Sequence, residues 1–397
     1  MAPSYDVLII GAGVIGSSIA FHLAREGAGR LAVIERGGVC AGHTRKSAAL
    51  IRMHYTNAPE ARLALASLPY FQRWSELVGG ECGFRSTGFA LLVGPENVER
   101  LHRNVARLVA LGVNTRVLSP EELAEVQPTL SIAGLGAAAY EPESGYADPI
   151  ATTQSFIDRA LELGVELHLR TAVTAIATRG GHVTGLKTTR GRFDGPVVVC
   201  AANTWSPALL STAGVELELW CRRGQVAFYH SPARLVGKQL ALIDTTSGAY
   251  TRPEGAELTL GGVSSLTGRN PADPDRYDEE VDPDFPADVQ ERLSIRLPAL
   301  AAAAYSHGQA GLYDMSPDTR AILDHAPGVE GLYVAAGFSG TGFKKAPAVG
   351  ACMAELITSG RARTVDLTPF RFTRFAEGEP IHGTDEYELP TDWGHGF

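Results

Sequence analysis

The chain has 397 residues, 45% of them hydrophobic and 20% charged, with a formal net charge of −9. That length exceeds what one hydrophobic core ordinarily supports, so two domains are expected, and the acidic balance provides no basic patch for a nucleic acid. No apolar run reaches the roughly 18 residues needed to span a bilayer, and Met1 to Asp6 lead into the first strand without a basic leader, so the expected protein is cytoplasmic with no membrane partner. The five cysteines, Cys40, Cys82, Cys200, Cys221 and Cys352, lack metal-type spacing and read as reduced, mostly buried thiols, with no metal site.

The apolar run Val7 to Ile10 reads as a buried parallel strand. It meets Gly11-Ala12-Gly13-Val14-Ile15-Gly16, and small and apolar residues from Ser17 to Ala24 continue as a helix. Gly11 permits the tight turn, Gly13 lets the backbone approach a pyrophosphate, and Gly16 lets helix and strand pack closely, with the helix N-terminus toward the phosphates. A second strand, Leu31 to Ile34, ends in Glu35, about 20 residues past the motif, where a carboxylate bonds a ribose hydroxyl and argues against a 2′-phosphate. Helical spacing covers Pro59 to Leu77 and Val98 to Leu108, the latter stopped by Gly112, with a strand at Gly88 to Val93 between them. Asp148-Pro149 opens a further helix with a capping acid, closed by Gly164. Strands follow at Glu166 to Leu169, Val173 to Ala177, Val183 to Thr188 and Val197 to Cys200. The segment Asn270 to Asp288, rich in Pro and Asp, reads as a solvated loop without function.

Near the C-terminus the strand Leu332 to Ala336 runs into a second glycine-rich turn, Gly337-Phe338-Ser339-Gly340-Thr341-Gly342-Phe343, followed by Lys344 and Lys345. A lone G-x-G-x-x-G suits any dinucleotide. A returning glycine turn with a trailing lysine is expected where a flavin ring must be held as well, which points to FAD; an NAD-dependent dehydrogenase would not need it. The tail from Glu377 to Phe397 has no periodic pattern. The expected fold class is α/β: a Rossmann-like FAD-binding domain (residues 1–79, 146–214 and 306–370) interleaved with an antiparallel-sheet substrate domain (80–145 and 215–305) that covers the flavin, then a C-terminal tail (371–397).

Both glycine turns, Glu35, the segment Thr44 to Tyr55 and Gly145 to Pro149 together resemble the FAD-dependent amine and D-amino acid oxidoreductases. Within them the chain is most similar to the sarcosine oxidase branch, the beta subunit of the heterotetrameric enzyme and its single-chain relatives, up to about Leu367. The resemblance implies FAD contacts at Gly11, Gly13, Val14, Ile15, Gly16, Glu35, Arg36, Thr44, Arg45, Ser47, Ala48, Val173, Ala201, Ala202, Trp205, Gly311, Gly337, Phe338, Gly340, Thr341, Gly342, Phe343 and Lys344. It also implies that Arg52 and Lys344 hold a substrate carboxylate over the flavin. Two other roles stay open, a structural ion pair for Arg52 and a ring-tuning charge for Lys344, and Lys345 competes for the same assignment. His54 and Tyr55 would shape the pocket, with a satisfied structural histidine the plainer reading of His54, and Tyr250, Arg252 and Tyr313 are candidates for its wall.

Departures from the family pattern carry their own expectations. Gly311 stands where single-chain sarcosine oxidases attach FAD through a cysteine, so a non-covalent cofactor is expected. Thr259 stands where those enzymes use a lysine to promote reaction with oxygen, which favours another electron acceptor. Asn203 and Thr341 replace a glycine and a histidine beside the flavin face. The function expected is oxidation of the C–N bond of a small amino acid, N-alkyl, secondary or D-, to an imine by hydride transfer to flavin N5, with oxygen or another acceptor. The alternatives are oxidation of a 2-hydroxy acid, or a flavin-carrying subunit of a multi-protein amine dehydrogenase; a partner subunit and a homo-oligomer both stay open.

Overall fold

In the computed structural model, residues 2–237, 239–263 and 272–389 are described. One sheet has the strand order Ile322–His325, Leu332–Ala336, Val197–Cys200, Val7–Ile10, Leu31–Ile34, Glu166–His168, and only the pair Ile322–His325 with Leu332–Ala336 is antiparallel. Val7–Ile10 and Leu31–Ile34 are buried along their whole length, with Ile9 and Val33 packed among the helices on one face and Leu8 and Ile34 packed on the three-stranded sheet Val173–Arg179, His182–Thr188, Gly191–Asp194 on the other. Val7–Ile10 and Leu332–Ala336 flank Val197–Cys200 and run parallel to it. Three loops, beginning at Gly11, Ala201 and Gly337, therefore leave the same carboxyl edge side by side, where open α/β sheets bind ligands. The helices that follow the two glycine turns, Val14–Arg25 and Ala346–Ser359, lie against each other. Ser18 Oγ donates to the Ala346 carbonyl at 2.8 Å, and a Cβ on Gly350 would fall 2.1 Å from that hydroxyl, so only glycine allows this approach.

A second sheet of eight strands runs Tyr305–Met315, Trp220–His230, Leu258–Val263, Ala249–Glu254, Ala241–Asp244, Phe89–Val93, Ala137–Glu141, Arg116–Leu118. It is not purely antiparallel as expected: Ala241–Asp244 and Phe89–Val93 pair in parallel, because they join two separate excursions of the chain. Tyr305–Met315 also belongs to this sheet, paired along Trp220–His230, so the sheet extends about ten residues past the expected border at 305.

Cross-strand pairs share a face of a sheet. The pairs Arg222 with Tyr313, Gly224 with Gly311, Val226 with Gly262 and Gly262 with Tyr250 thus define the face turned toward the glycine loops. The opposite face packs on the helix Phe285–Arg296, where a Cβ at Gly261 would meet Leu293 at 2.5 Å. Thr259 pairs with Tyr229 and Pro253 on that opposite face. Its hydroxyl is buried and bonded to Gln239 Oε1 (3.0 Å) and Ser231 Oγ (2.8 Å). Thr259 therefore turns away from the glycine loops, contrary to the expectation that the residue here would govern reaction with oxygen; a shift of one residue along a strand reverses the side it serves.

The described part of the tail, to residue 389, packs on the chain itself. Arg374 is fully buried against Asp318 (2.8 Å), Asp385 accepts from Arg103 and Arg107, and the Tyr387 hydroxyl bonds the His54 ring at 2.7 Å. These are polar contacts between distant positions, which leave no periodic signal in the sequence.

Candidate cofactor and substrate site

The carboxyl edge of the parallel sheet opens into a cavity of about 630 Å³ lined by Gly11, Gly13, Val14, Ile15, Glu35, Arg36, Thr44, Val173, Ala201, Ala202 and Trp205, among others. Gly11 has φ +106°, and a Cβ there would lie 2.7 Å from the Ala201 carbonyl oxygen. Gly13 is the N-cap of the helix Val14–Arg25 and supplies no side-chain cap; Val14 N donates to Thr44 Oγ1 at 3.3 Å, and the amides that follow it in the first turn point at the cavity mouth as an anion site would need. Glu35 is pinned at the strand tip, accepting from Ala12 N (2.9 Å) and Gly37 N (2.6 Å), and lines the cavity. Gly16 serves packing, since a Cβ would stand 2.0 Å from the Gly11 carbonyl oxygen. Phosphate cradle, ribose carboxylate and close helix packing together fit the adenosine diphosphate half of FAD.

The segment expected to be a solvated loop contributes to this cavity. Asp275, Tyr277 and Glu279 line it, while Asn270 and Pro271 lie outside the described residues. Asp275 accepts from Arg36 (2.9 Å) and from the Trp205 indole (3.0 Å), and Lys46 pairs with Glu279 (2.9 Å) and Tyr277 (2.7 Å). Two of its acids, Asp275 and Glu279, thus pair with residues of the cavity wall while remaining more than half exposed. His43 stacks on Trp205 at 5.3 Å, and burial, followed by the charge of Lys46, lowers its pKa to about 4.

A second cavity of about 430 Å³ continues from the first through Val14, Ile15, His43, Thr44, Lys46 and Asn203. It lies between the second glycine turn and the eight-stranded sheet, and its wall includes Ser47, Ala48, Gly311, Phe338, Gly340, Thr341, Gly342, Phe343 and Lys344. Asn203 has φ +52°, the left-handed region, which explains a glycine preference at this position. Asp314, not foreseen from the sequence, accepts from Gly337 N at 2.7 Å and so anchors the turn; burial raises its carboxyl to about 6 against the N–H groups that surround it. Arg45 and Gly337 line neither cavity. None of the five cysteines lines either one, and among the described residues no cluster of His, Cys, Asp or Glu is suited to a metal.

Arg52 and Lys344 converge on this second cavity from opposite ends of the chain. Arg52 donates to the His54 carbonyl and lies over the Tyr55 ring at 4.6 Å, which fixes its guanidinium while part of it faces the cavity. Among the described residues the Lys344 ammonium has no ion pair, and burial, then the charges of Arg52 and Lys345, hold its pKa well below the ordinary lysine value. Lys345 points the other way, into a fully buried cluster with Glu60, which also pairs with Arg320 at 3.0 Å. The competition between the two lysines for the cavity is thereby resolved in favour of Lys344. In sequence, Asn57-x-x-Glu60 signals only a helix cap, and Asn57 does accept from Glu60 N at 3.0 Å.

Tyr250 and Tyr313 line the cavity. His54, Tyr55 and Arg252 do not: His54 is bonded to Tyr387, Tyr55 is buried between Arg52 and Lys345, and Arg252 binds the Ala48 and Pro253 carbonyls and Glu254. No helix among the described residues is long and apolar enough to cross a membrane.

Residues 6–356 match the family model described as FAD dependent oxidoreductase. The chain is 30% identical to FAD-dependent oxidoreductase domain-containing protein 1 of Bos taurus, across 94% of this chain and 85% of the relative. It is 27% identical to sarcosine oxidase subunit beta of Rhodobacter capsulatus, across 95% and 90%. Among solved structures, L-proline dehydrogenase from P. horikoshii superposes with a TM-score of 0.89 at 29% identity, covering 96% of this chain and all of that one. The chain is a member of the FAD dependent oxidoreductase family, with FAD as its cofactor.

Proposed function

We infer that the protein oxidises the Cα–N bond of a small amino acid, an N-alkyl, secondary or D-amino acid, to an imine that water hydrolyses. The observation that carries this is the pairing of Arg52 with Lys344 on one cavity continuous with the cofactor cleft. Bound FAD supplies a two-electron acceptor for the hydride. The residues of the chain then have three tasks. Arg52 and Lys344 hold the carboxylate through charge-assisted bonds and so fix the position of the Cα–H. Phe338, Phe343, Tyr250 and Tyr313 exclude water. Lys344, which burial and the charges of Arg52 and Lys345 hold toward its neutral form, takes up a proton at Nζ when an anion binds beside it.

Mixing the FAD-loaded enzyme anaerobically with N-methyl, cyclic, D- and L-amino acids tests this directly. Loss of visible flavin absorbance with at least one of them is expected. Bleaching by 2-hydroxy acids alone would replace the amine by an alcohol. The relative named as a subunit of sarcosine oxidase favours a second reading, in which electrons leave through a partner protein. Flavin that bleaches with substrate yet reoxidises slowly in air until a co-purifying partner is added would support it.

A further inference from the structure

Arg52 sits in a segment that has no regular structure of its own. The strand Leu50–Ile51 ends just before it, and residues 52–55 belong to no helix or strand. The Arg52 guanidinium is buried, donates to the His54 carbonyl two residues on, and lies over the Tyr55 ring at 4.6 Å. Both contacts lie within the segment, so the guanidinium moves with it.

Anchors for this segment come from distant parts of the chain. Fully buried Glu141 accepts from Met53 N at 2.9 Å. Two more come from the C-terminal tail: Thr384 N donates to the Thr56 carbonyl at 3.0 Å, and the Tyr387 hydroxyl bonds His54 Nε2 at 2.7 Å with the two rings stacked. Among the described residues His54 Nδ1 has no partner, so Tyr387 supplies the hydrogen bond that fixes the buried imidazole. The tail approaches closely here, since a Cβ at Gly383 would fall 2.3 Å from Thr56 Oγ1. It is tied down on both sides of Tyr387. Asp385 accepts from Arg103 (2.7 Å) and Arg107, while Glu388 pairs with Arg100 (2.6 Å) and its amide donates to Asn97 Oδ1 (2.8 Å). Neither Tyr387 nor His54 lines either cavity, so any effect of theirs on a ligand passes through Arg52.

We propose that Tyr387 is a positioning residue for the substrate carboxylate: by holding the His54 ring it places the His54 carbonyl against which the Arg52 guanidinium is set, so the C-terminal tail takes part in substrate recognition from outside the cavity. A charge-assisted bond depends on the placement of its donors, and a small displacement of the guanidinium weakens it. This rests on the proposed function, which makes Arg52 the carboxylate anchor, so its test uses a carboxylate that needs no turnover.

Titrate the FAD-loaded parent, Tyr387→Phe, Arg52→Gln and the double variant with propionate, following the flavin spectrum and the heat of binding. Tyr387→Phe keeps the stacked ring and removes only the hydroxyl. It should leave flavin content normal and weaken propionate about fivefold to tenfold, while in the Arg52→Gln background the same change should alter binding less than about twofold. His54→Leu breaks the same bond from the other side and should match the loss in Tyr387→Phe, with nothing further lost when the two are combined. A role confined to stability would leave propionate binding unchanged or weaken it equally with and without Arg52, and either result would overturn the proposal. If Tyr387→Phe fails to fold, His54→Leu measured against Arg52→Gln decides in the same way. Binding weakened by Arg52→Gln but not by Tyr387→Phe would count against this inference alone. Binding untouched by Arg52→Gln would remove the anchor and with it both readings. Coupling between Tyr387 and Arg52 with no flavin bleaching by any amino acid would count against the proposed function alone.

Discussion

Glu60→Gln is expected to be the costliest conservative substitution near the site. Glu60 is fully buried and bridges Lys345 and Arg320. Burial pushes its carboxyl upward, but the charges of Lys345 and then Arg320 outweigh this and bring the pKa from 4.5 to about 2. At roughly 1.4 kcal/mol per pH unit that lowering corresponds to about 3 kcal/mol. It falls in the range of about 3–5 kcal/mol for removing one partner of a buried ion pair, since glutamine leaves two buried cations without their anion. A depressed carboxyl stabilises the fold fully above its unfolded pKa of 4.5, and the contribution is lost as pH falls toward 2. The difference between parent and variant should therefore be largest near neutrality and shrink below pH 4.5. Equilibrium urea unfolding of the FAD-loaded enzyme, read by circular dichroism over a pH series, measures it. Adding Lys345→Met should recover much of the loss, because an apolar side chain replaces one orphaned charge. A Glu60→Gln variant within about 0.5 kcal/mol of the parent at neutral pH, the range of an ordinary surface substitution, would refute the reasoning.

Four further outcomes are expected. Acid precipitation should release FAD into a yellow supernatant, because Gly311 offers no thiol and no cysteine lines either cavity; flavin retained in the pellet would show a covalent link from another residue. Arg52→Gln should leave flavin content near normal while kcat/KM falls about a hundredfold or more, and full activity would eliminate the clamp. Anionic ligands should bind more weakly as pH rises through the depressed pKa of Lys344, with that limb absent in Lys344→Met titrations. Burial lowers the pKa values of His22, His43 and His54 to about 3, 4 and 3, so the unfolded chain binds more protons below 6.5 and stability should fall as pH drops from there; a flat profile from pH 6.5 to 4.5 in urea unfolding would contradict this.

What the sequence by itself determined was local and periodic. Strand, glycine turn and helix follow one another within Val7–Arg25 and again within Leu332–Ser359, and each glycine's task follows from backbone geometry at its own position. Glu35 was legible for the same reason, as the residue ending the next strand. Sheet order was not legible, and it alone brings the two turns to one edge on either side of Val197–Cys200. The facing of side chains was likewise decided in three dimensions: strand parity turns Thr259 away from the second cavity, while Tyr250 and Tyr313 line it. Lys344 and Lys345 are adjacent and chemically identical, yet one faces a cavity and the other a buried glutamate contributed by a helix almost three hundred residues earlier. The segment around Asp275 carries the composition of a solvated loop, and only its position over Arg36 and Trp205 makes it a strap. Composition and spacing encode what neighbours along the chain do to one another; ion pairs between distant residues, and the side of a sheet a residue serves, are set by tertiary packing.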